Sequence, residues 1–532
     1  MDFISATFII FVIILAGIYF ITPDRAKWVI LLLGSYVFYM ASGVKILFFL
    51  LLTTAVTFAS GLALGNINER QKQYLKENKS KLTREQRKEV KNRASRKKKR
   101  IVAMAVFINL GLLIFLKYFN FIGGNINTLL AHMGVGGRVP QLNLLLPLGI
   151  SFYTLQSIAY IVDLYRGKYQ ADRNFFKFSL FMSFFPQIVQ GPIARYDHLA
   201  HQLYEPHKFQ YDRVTQGAQL ILWGFMKKLI LADRLAVPVN LVFDNPNSYQ
   251  GFILFFAAAG YGLQVYADFS GGMDIARGVA QIMGIDLAVN FERPYFSCSI
   301  SEFWRRWHIT LGGWMRDYIF YPLSLSKAFA NLGKRTRKIF GNYIGKKLPT
   351  FLSMFIVFLL VGVWHGSSWK YVAYGVWNGV IIVSSILLEP YYEKFLKKCK
   401  INTECFSWKF FQMMRTFVLC SFGRFFSRGI SCMTAFGMIK RTITHPNPWV
   451  FFDGSFLKLG LEYKDFYVIF AFIIVLFVVG IMQERGVHIR EKIAGQNLYF
   501  RWLLYIGAVV IVLIYGSYGP GYDAGEFIYQ QF

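Results

Sequence analysis

Long apolar runs without a charged side chain dominate this chain. A membrane-spanning helix needs about 20 apolar residues, because the hydrocarbon core of a bilayer is about 30 Å thick. Runs near that length without Asp, Glu, Lys or Arg cover residues 4–22, 28–44, 46–68, 101–116, 139–162, 245–267, 348–369, 371–388, 466–483 and 502–522. Two further apolar runs, 214–236 and 406–427, contain Lys227, Lys228, Lys409, Arg415 and Arg424, and we expect tilted, broken or interfacial helices there. The pattern predicts an all-α polytopic membrane protein with about 12 spans.

The composition agrees with this class. Of the 532 residues, 55% are hydrophobic and 17% are charged, whereas soluble domains average about 25% charged residues. The net charge is +30, but the basic residues gather in loops between apolar runs, as topology signals do, so we expect no nucleic acid partner. The five cysteines lack CxxC spacing and are odd in number, which indicates neither a zinc site nor a disulfide framework.

The charge distribution also predicts an orientation. Residues 67–100 hold 15 Lys or Arg and 4 Asp or Glu, which places this loop in the cytoplasm by the positive-inside rule. We interpret the loop as a solvated helix pair, with docking to anionic membrane lipid as the alternative. The first apolar run lacks signal-peptide features and is expected to remain as an anchor. We expect residues 1–532 to form one membrane domain. Counting crossings from this loop, with residues 174–190 re-entering without crossing, predicts an extracellular C-terminal tail, residues 523–532.

Residues 290–325 differ from every other stretch. They read NFERPYFSCSISEFWRRWHITLGGWMRDYIFYPLSL, which is too polar for a lipid-facing span. Irregular or polar backbone at membrane depth occurs only where it is buried in protein or lines a cavity, so we predict a re-entrant segment on the cytoplasmic side.

Two histidines are the strongest candidates for chemistry. His308 lies within residues 290–325, and His365 lies near the end of an apolar run, where we expect it toward the outer half of the membrane. An imidazole in or beside a span is costly unless it is partnered, which favours a functional role. Gly362 and Gly366 permit close backbone approach at His365. A satisfied structural histidine is the alternative for both, and interfacial anchoring beside two arginines is a further one for His308.

The other histidines are weaker candidates. They lie in predicted loops or in one polar stretch, at His132, His198, His201, His207, His445 and His488. Their spacing matches no metal-ligand set, so no metal is expected.

Four segments resemble the membrane-bound O-acyltransferase (MBOAT) family. They are LPLGISFYTLQSIAYIVDLYRGK (146–168), FFPQIVQGPIAR (184–195), FWRRWHITLGGWMRDYIFYPL (303–323) and VWHGSSWKYVAYGVWNG (363–379). The chain is most similar to the bacterial branch of alginate O-acetylation membrane proteins, and more distantly similar to teichoic-acid D-alanyl transfer proteins. The resemblance implies a helical funnel and tunnel with re-entrant helices. In that fold an acyl thioester arrives from the cytoplasm and the acyl group leaves on the outer side.

The resemblance also implies roles for individual residues. His365 corresponds to the catalytic histidine and His308 to the second tunnel histidine. The candidates for the donor side of the tunnel are Trp304, Arg306, Trp307 and Trp364. One departure is the segment FSGGMD at 269–274, where many relatives read FSGYSD; we assign it no binding role, and the simplest expectation is that Asp268 and Asp274 pair with arginines.

The C-terminal sequence FIYQQF, residues 527–532, resembles a terminal Phe-x-Tyr-x-x-Phe motif of this branch and of the small partner in D-alanylation. This likeness implies an acyl relay, in which Tyr529 accepts the acyl group as an ester and passes it to a separate extracellular, SGNH-type transferase. Aromatic anchoring at the membrane interface is the alternative.

These observations favour an O-acyltransferase of the bacterial cytoplasmic (inner) membrane. The expected reaction moves an acetyl group from acetyl-CoA, a co-substrate rather than a bound cofactor, toward hydroxyls of a cell-surface or secreted polysaccharide. One alternative is transfer of D-alanine from a carrier protein to teichoic acid. Another is a polysaccharide or lipid transporter, but the sequence shows no convincing repeated or inverted halves of the kind common in transporters.

Overall fold

The computed structural model describes residues 2–518 and 527–528. The first helices are α1 Ala6–Ile21, α2 Lys27–Met40, α3 Val44–Glu77, α4 Arg84–His132, α5 Ile150–Arg166, α6 Phe175–Ser183, α7 Phe185–Ile188, α8 Tyr196–Tyr204, α9 Tyr211–Phe225, α10 Asp233–Asp244 and α11 Gly251–Ile282. They are followed by α12 Ile300–Arg306, α13 Ile309–Met315, α14 Tyr321–Ser324, α15 Lys327–His365, α16 Trp369–Lys398, α17 Phe406–Arg428, α18 Cys432–Thr444, α19 Tyr463–Glu484, α20 Ile489–Ala494 and α21 Leu498–Tyr515. Two π-helical segments, Met226–Ala232 and Arg316–Phe320, join neighbouring helices. The described residues contain no β-strand, so the predicted all-α class is confirmed.

The chain forms two compact units. The first comprises residues 1–217 and 279–288, and the second comprises residues 218–278 and 289–532. In the first unit, α5 is buried along almost its whole length. Its Gln156 donates a hydrogen bond to the carbonyl of Phe181 and accepts one from Gln187, at 2.8 and 2.7 Å. Both polar atoms of the buried Gln156 amide are thus paired, which lowers the cost of its desolvation.

Seven helices of the described residues are long and apolar enough to cross a membrane: α3, α4, α11, α15, α16, α19 and α21. Helix α1 is apolar but shorter. Helix α21 has no buried residue, as expected for a helix whose apolar side chains face lipid. The multi-pass class is therefore confirmed, while the number of about 12 spans stays a prediction.

The basic segment 67–100 is helical, as expected for a helix pair. Helix α3 continues to Glu77, and α4 begins after Thr83. The Thr83 hydroxyl accepts the Gln86 N–H while the Gln86 side chain accepts the Thr83 N–H, a capping box that fixes the start of α4. The cytoplasmic location of this pair remains a prediction.

The two charged apolar runs differ from each other. Residues 214–236 are broken as expected, because α9 passes through the π-helical segment Met226–Ala232 before α10 begins. Residues 406–427 instead lie within one uninterrupted helix, α17.

Residues 290–325 contain no helix longer than seven residues. They form a 3-10 turn at Pro294–Phe296, then α12, α13, the second π-helical segment and α14. Helices α13 and α14 are continuous with the π-helical segment between them, and this helical stretch of residues 309–324 is about 24 Å long, which is shorter than the hydrocarbon core of about 30 Å. The segment is therefore not an ordinary span, and its re-entrant path stays a prediction.

Candidate active site

His365 occupies the last position of α15, at the turn into α16. The two helices approach closely at Gly362, where an added Cβ would lie 2.9 Å from the Cα of Gly375 and collide with the backbone oxygen of Tyr371. The expected close backbone approach is thus confirmed. This tight hairpin fixes the direction of the His365 side chain, and the residue is only 7% exposed.

His308 sits in a strained turn between α12 and α13. Its φ of 49° and ψ of 53° place it in the left-handed region, which costs a non-glycine residue about 1 to 3 kcal/mol. An isolated antiparallel bridge between Phe291 and Trp307 precedes it, and the Ile309 N–H donates to the carbonyl of Asn290 at 3.0 Å. The surrounding backbone therefore determines this conformation, as is common where a side chain must be aimed at a site.

Asn290 also determines the protonation of His308. Its Oδ1 accepts the backbone N–H and the hydroxyl of Thr310, both at 2.9 Å, and lies 3.3 Å from His308 Nδ1. Because a backbone N–H can only donate, the facing Asn290 atom is the oxygen, so Nδ1 carries the hydrogen and Nε2 the lone pair. Burial and the neighbouring His365 hold the pKa of His308 well below its ordinary value. This arrangement favours a neutral imidazole with its hydrogen on Nδ1.

Trp364 joins the two histidines. Its indole centroid lies 5.2 Å from the imidazole of His365 and 5.6 Å from that of His308. Tyr374 of α16 packs 5.9 Å from His365, and Phe269 of α11 packs 5.0 Å from His308. The two predicted histidines thus come together in one buried aromatic cluster of the second unit.

The other tunnel candidates divide into two groups. Trp307 is buried beside His308 and stacks on Phe303, while Trp304 is half-buried and donates its indole N–H to Asn378 at 3.2 Å. Arg306 forms ion pairs with Glu302, at 2.8 Å, and with Glu484. The structure therefore brings Trp307 and Trp364 to the histidines, whereas Arg306 contributes to an ion-pair cluster.

Arg424 is a site residue that sequence reasoning missed. Its guanidinium carbon lies 4.9 Å from the ring centroid of Trp307, and its Nη1 donates to the Tyr374 hydroxyl at 3.3 Å. It is 5% exposed. It therefore links the neighbour of His308 with the ring that packs on His365. Its position inside the apolar run 406–427 was the available signal, since a charge inside such a run is costly without a function.

Asp268 and Asp274 have lysine partners that sequence reasoning overlooked. Lys228 pairs with Asp268 at 2.8 Å, and Lys227 pairs with Asp274 at 2.6 Å. Of the arginines expected there, Arg277 pairs with Asp274 at 3.5 Å. The two lysines lie in the π-helical segment, so two of the charges in the run 214–236 pair with carboxylates of α11.

The remaining candidates lie elsewhere. Tyr529 and the other residues of the motif after Ile528 fall outside the described residues, as do 523–526 of the predicted tail. His198 and His201 lie on α8 and His132 ends α4. Within the part of the chain that the structure describes, no group of three or more His, Cys, Asp or Glu is arranged to hold a metal ion.

The apolar helices and the buried pair of histidines are typical of a multi-pass membrane enzyme. Comparison with known proteins identifies the family of this enzyme. The model of the MBOAT, membrane-bound O-acyltransferase family matches residues 171–339. A probable alginate O-acetylase AlgI of Pseudomonas syringae pv. tomato is 32% identical over 426 residues, which cover 80% of this chain and 71% of that protein. The chain therefore belongs to the membrane-bound O-acyltransferase family, in its alginate O-acetylation branch, and is an O-acyltransferase.

Two further relatives show the range of this similarity. A peptidoglycan O-acetyltransferase of Helicobacter pylori is 30% identical over 305 residues, 52% of this chain and 54% of that protein. A teichoic acid D-alanyltransferase of Bacillus subtilis is 31% identical over 260 residues, 48% of this chain and 63% of that protein.

Proposed function

We propose that this enzyme transfers an acetyl group from cytosolic acetyl-CoA toward hydroxyls of a cell-surface or secreted polysaccharide, from the bacterial cytoplasmic (inner) membrane. The observation that carries the proposal is the buried cluster of His308, Trp364 and His365. Two relatives with O-acetylation in their names support an acetyl group over other acyl groups. Acetyl-CoA acts as a co-substrate, and the chemistry uses the side chains of the chain itself.

In the proposed reaction, His365 is the general base. Its imidazole takes the proton of the attacking hydroxyl as the oxygen bonds to the thioester carbonyl carbon. The carbon–sulfur bond then breaks, and the CoA thiolate recovers the proton. A well-placed base contributes about 10²- to 10⁴-fold in rate.

His308 has a different task, because its Nε2 accepts rather than donates a hydrogen bond in the tautomer that Asn290 fixes. Because the single hydroxyl proton of the nucleophile goes to His365, His308 Nε2 is suited to accept a hydrogen bond from another donor group of a bound substrate, such as an amide N–H, and so to position that substrate. Donors to the thioester carbonyl then come from the tryptophan indoles or Arg424, whose guanidinium is always protonated.

The first acceptor in this proposal is Tyr529, which passes the acetyl group as an ester to an extracellular SGNH-type transferase. The competing proposal changes the donor: D-alanine on a carrier protein, with teichoic acid as acceptor. The similarity to the Bacillus subtilis D-alanyltransferase supports this alternative, which the following experiment also tests.

An assay of the purified enzyme in lipid nanodiscs distinguishes the acetyl proposal from the D-alanyl proposal. The assay contains labelled acetyl-CoA and no carrier protein. We expect the wild type to release CoA and to acquire label, and His365→Ala to do neither. If wild type consumes D-alanyl carrier protein while acetyl-CoA stays intact, the D-alanyl proposal replaces ours. If neither donor is consumed, both are wrong.

A further inference from the structure

A second buried charge cluster lies beside the histidine site, and the proposed reaction does not use it. Lys228 Nζ lies 2.8 Å from Asp268 Oδ1 and 2.9 Å from Asp233 Oδ1. All three side chains are almost completely buried. Buried ion pairs gain little stability over apolar packing of the same volume, because desolvation offsets much of the attraction. Stability alone therefore does not account for this cluster, and a role in binding or positioning is indicated.

The C-terminal residues contact this cluster directly. The ring centroid of Phe527 lies 4.7 Å from Lys228 Nζ, and Phe527 is 0% exposed. The backbone N–H of Ile528 donates to Asp268 Oδ2 at 2.9 Å. Lys228 and Ile528 thus engage different oxygens of one carboxylate, Oδ1 and Oδ2. A cation over an aromatic face and a charge-assisted hydrogen bond are both favourable away from water.

The chain is also held before the tail begins. The Ser517 N–H donates to the carbonyl of Leu229 at 3.0 Å, and Leu229 follows Lys228 in the π-helical segment. Such segments shift backbone hydrogen bonding by one residue and occur often at functional sites. Ser517 and Phe527 are thus tied to adjacent residues of the same short segment.

The tail contact lies next to the histidine site. Asp268 receives the Ile528 N–H, and the following residue, Phe269, packs 5.0 Å from the imidazole of His308. Tyr529 is bonded directly to Ile528, and consecutive Cα atoms are 3.8 Å apart.

We propose that Asp268, held by Lys228, is the docking residue for the C-terminal segment and a positioning residue for acyl relay. By fixing Phe527 and Ile528, it delivers the next residue, Tyr529, to the histidine pair. The relay part rests on the proposed function above, whereas docking itself does not. In this arrangement Asp233 holds Lys228 from the other side, so that the ammonium stays directed at Asp268.

The sharpest test changes the tail and leaves the cluster intact. Ile528→Pro removes the N–H that Asp268 accepts, and Ile528→Ala keeps it, which makes the two variants a matched pair. Carboxypeptidase Y, which also releases proline, is applied to the full-length protein in nanodiscs. Docking is reported by the rate at which residues 528 and 527 are released, divided by the rate for a free peptide of the same C-terminal sequence. Losing a hydrogen bond to a charged group should raise that rate about 10-fold or more in Ile528→Pro. Ile528→Ala should change it less than 3-fold. Equal rates in both variants and wild type would overturn the proposal.

Asp268→Asn provides an independent arm. If Asp268 and Ile528 act through one contact, the double variant Asp268→Asn with Ile528→Pro should digest no faster than Ile528→Pro alone. Multiplied effects would show that the two residues act separately and would contradict docking through Asp268. Asp268→Asn removes a negative partner of the buried Lys228 and could therefore misfold. The comparison of Ile528→Pro with Ile528→Ala is sufficient by itself to decide the proposal.

Measurements of acyl transfer distinguish docking of the C-terminal segment from acyl relay through Tyr529. In Ile528→Pro we expect the label on the C-terminal peptide to fall at least 10-fold, while hydrolysis of acetyl-CoA by water continues at His365. If digestion shows docking but Tyr529→Phe transfers acetyl groups normally, the relay is wrong and docking stands. If Tyr529→Phe is inactive but Ile528→Pro digests and transfers as wild type, docking through Asp268 is wrong and the relay stands.

Discussion

The indole of Trp364 packs against the imidazole of His308, with ring centroids 5.6 Å apart. Trp364 precedes His365 in α15, so this contact couples the end of a long apolar helix to the irregular segment 290–325. This contact helps to set the relative placement of the two histidines, together with Arg424, which contacts both Trp307 and Tyr374. A general base must lie within hydrogen-bond reach of the proton it takes, which makes such a contact important for rate.

His365→Ala should abolish acetyl transfer and leave the protein folded and inserted, because it removes the base and little packing. We expect a fall in kcat of about 10²- to 10⁴-fold. His308→Ala should cause a large but incomplete loss, since His308 positions a bound substrate and does not take the proton. Steady-state kinetics with size-exclusion profiles checks both variants. Activity of His365→Ala near the wild-type level would end its assignment as base.

Asn290→Asp should change the pH dependence of the enzyme. A carboxylate 3.3 Å from Nδ1 favours the imidazolium, so the pKa of His308, which burial holds low, should rise. The neutral form needed to accept a hydrogen bond is then lost at a higher pH, and the acidic limb of the kcat profile should move upward. Thr310→Val, which removes one bond to Asn290 without adding charge, is the control. An unmoved acidic limb in Asn290→Asp would show that His308 does not titrate in the active enzyme.

Much of the helical fold could be predicted from the sequence, because a span needs only length and a lack of charge. Helices α3 and α16, for example, contain the apolar runs 46–68 and 371–388. The contacts of the site could not be predicted in this way. From the sequence alone, Lys228 is only a charge that interrupts the apolar run 214–236. Its partner Asp268 lies in a different helix, and no local sequence feature specifies that pairing.

The histidines illustrate the same limit. The cost of an imidazole near a span made His308 and His365 candidates, but Trp364 as the residue between them and Asn290 as the partner of Nδ1 follow from the tertiary structure. The family resemblance supplied the pairing of the two histidines, and the packing supplies its geometry.

Arg424→Lys should impair the enzyme more than loss of charge alone predicts. The guanidinium carbon lies 4.9 Å from the ring centroid of Trp307 while Nη1 donates to the Tyr374 hydroxyl, and a lysine ammonium cannot reproduce both contacts. We expect a fall in kcat of about 10-fold or more with a smaller change in KM. Arg415→Lys, on the same helix, is the matched control. Similar kinetics in the two variants would remove Arg424 from the site.

Cysteine labelling should show Ser301 and Ser326 on the same, cytoplasmic side of the membrane. The longest continuous helical stretch between them, residues 309–324, is shorter than the about 20 residues of a span, and the charges of the segment disfavour a lipid-facing span. Single cysteines at these positions, in a background without the five native cysteines, react with a membrane-impermeant maleimide from one side. Labelling from opposite sides would refute both the re-entrant segment and the predicted orientation.

Tyr529→Phe should fold and bind donor normally yet lose transfer to the surface polymer. A phenol has an ordinary pKa near 10 and is a poor nucleophile at neutral pH unless a base such as His365 takes its proton. Mass spectrometry of the C-terminal peptide should show an acetyl adduct in wild type and none in His365→Ala or Tyr529→Phe. The matched control is Tyr518→Phe, because Tyr518 also follows α21 but precedes the motif. Full polymer acylation by Tyr529→Phe would return this tyrosine to the role of an interface anchor, and the acyl group would then pass directly to an external acceptor.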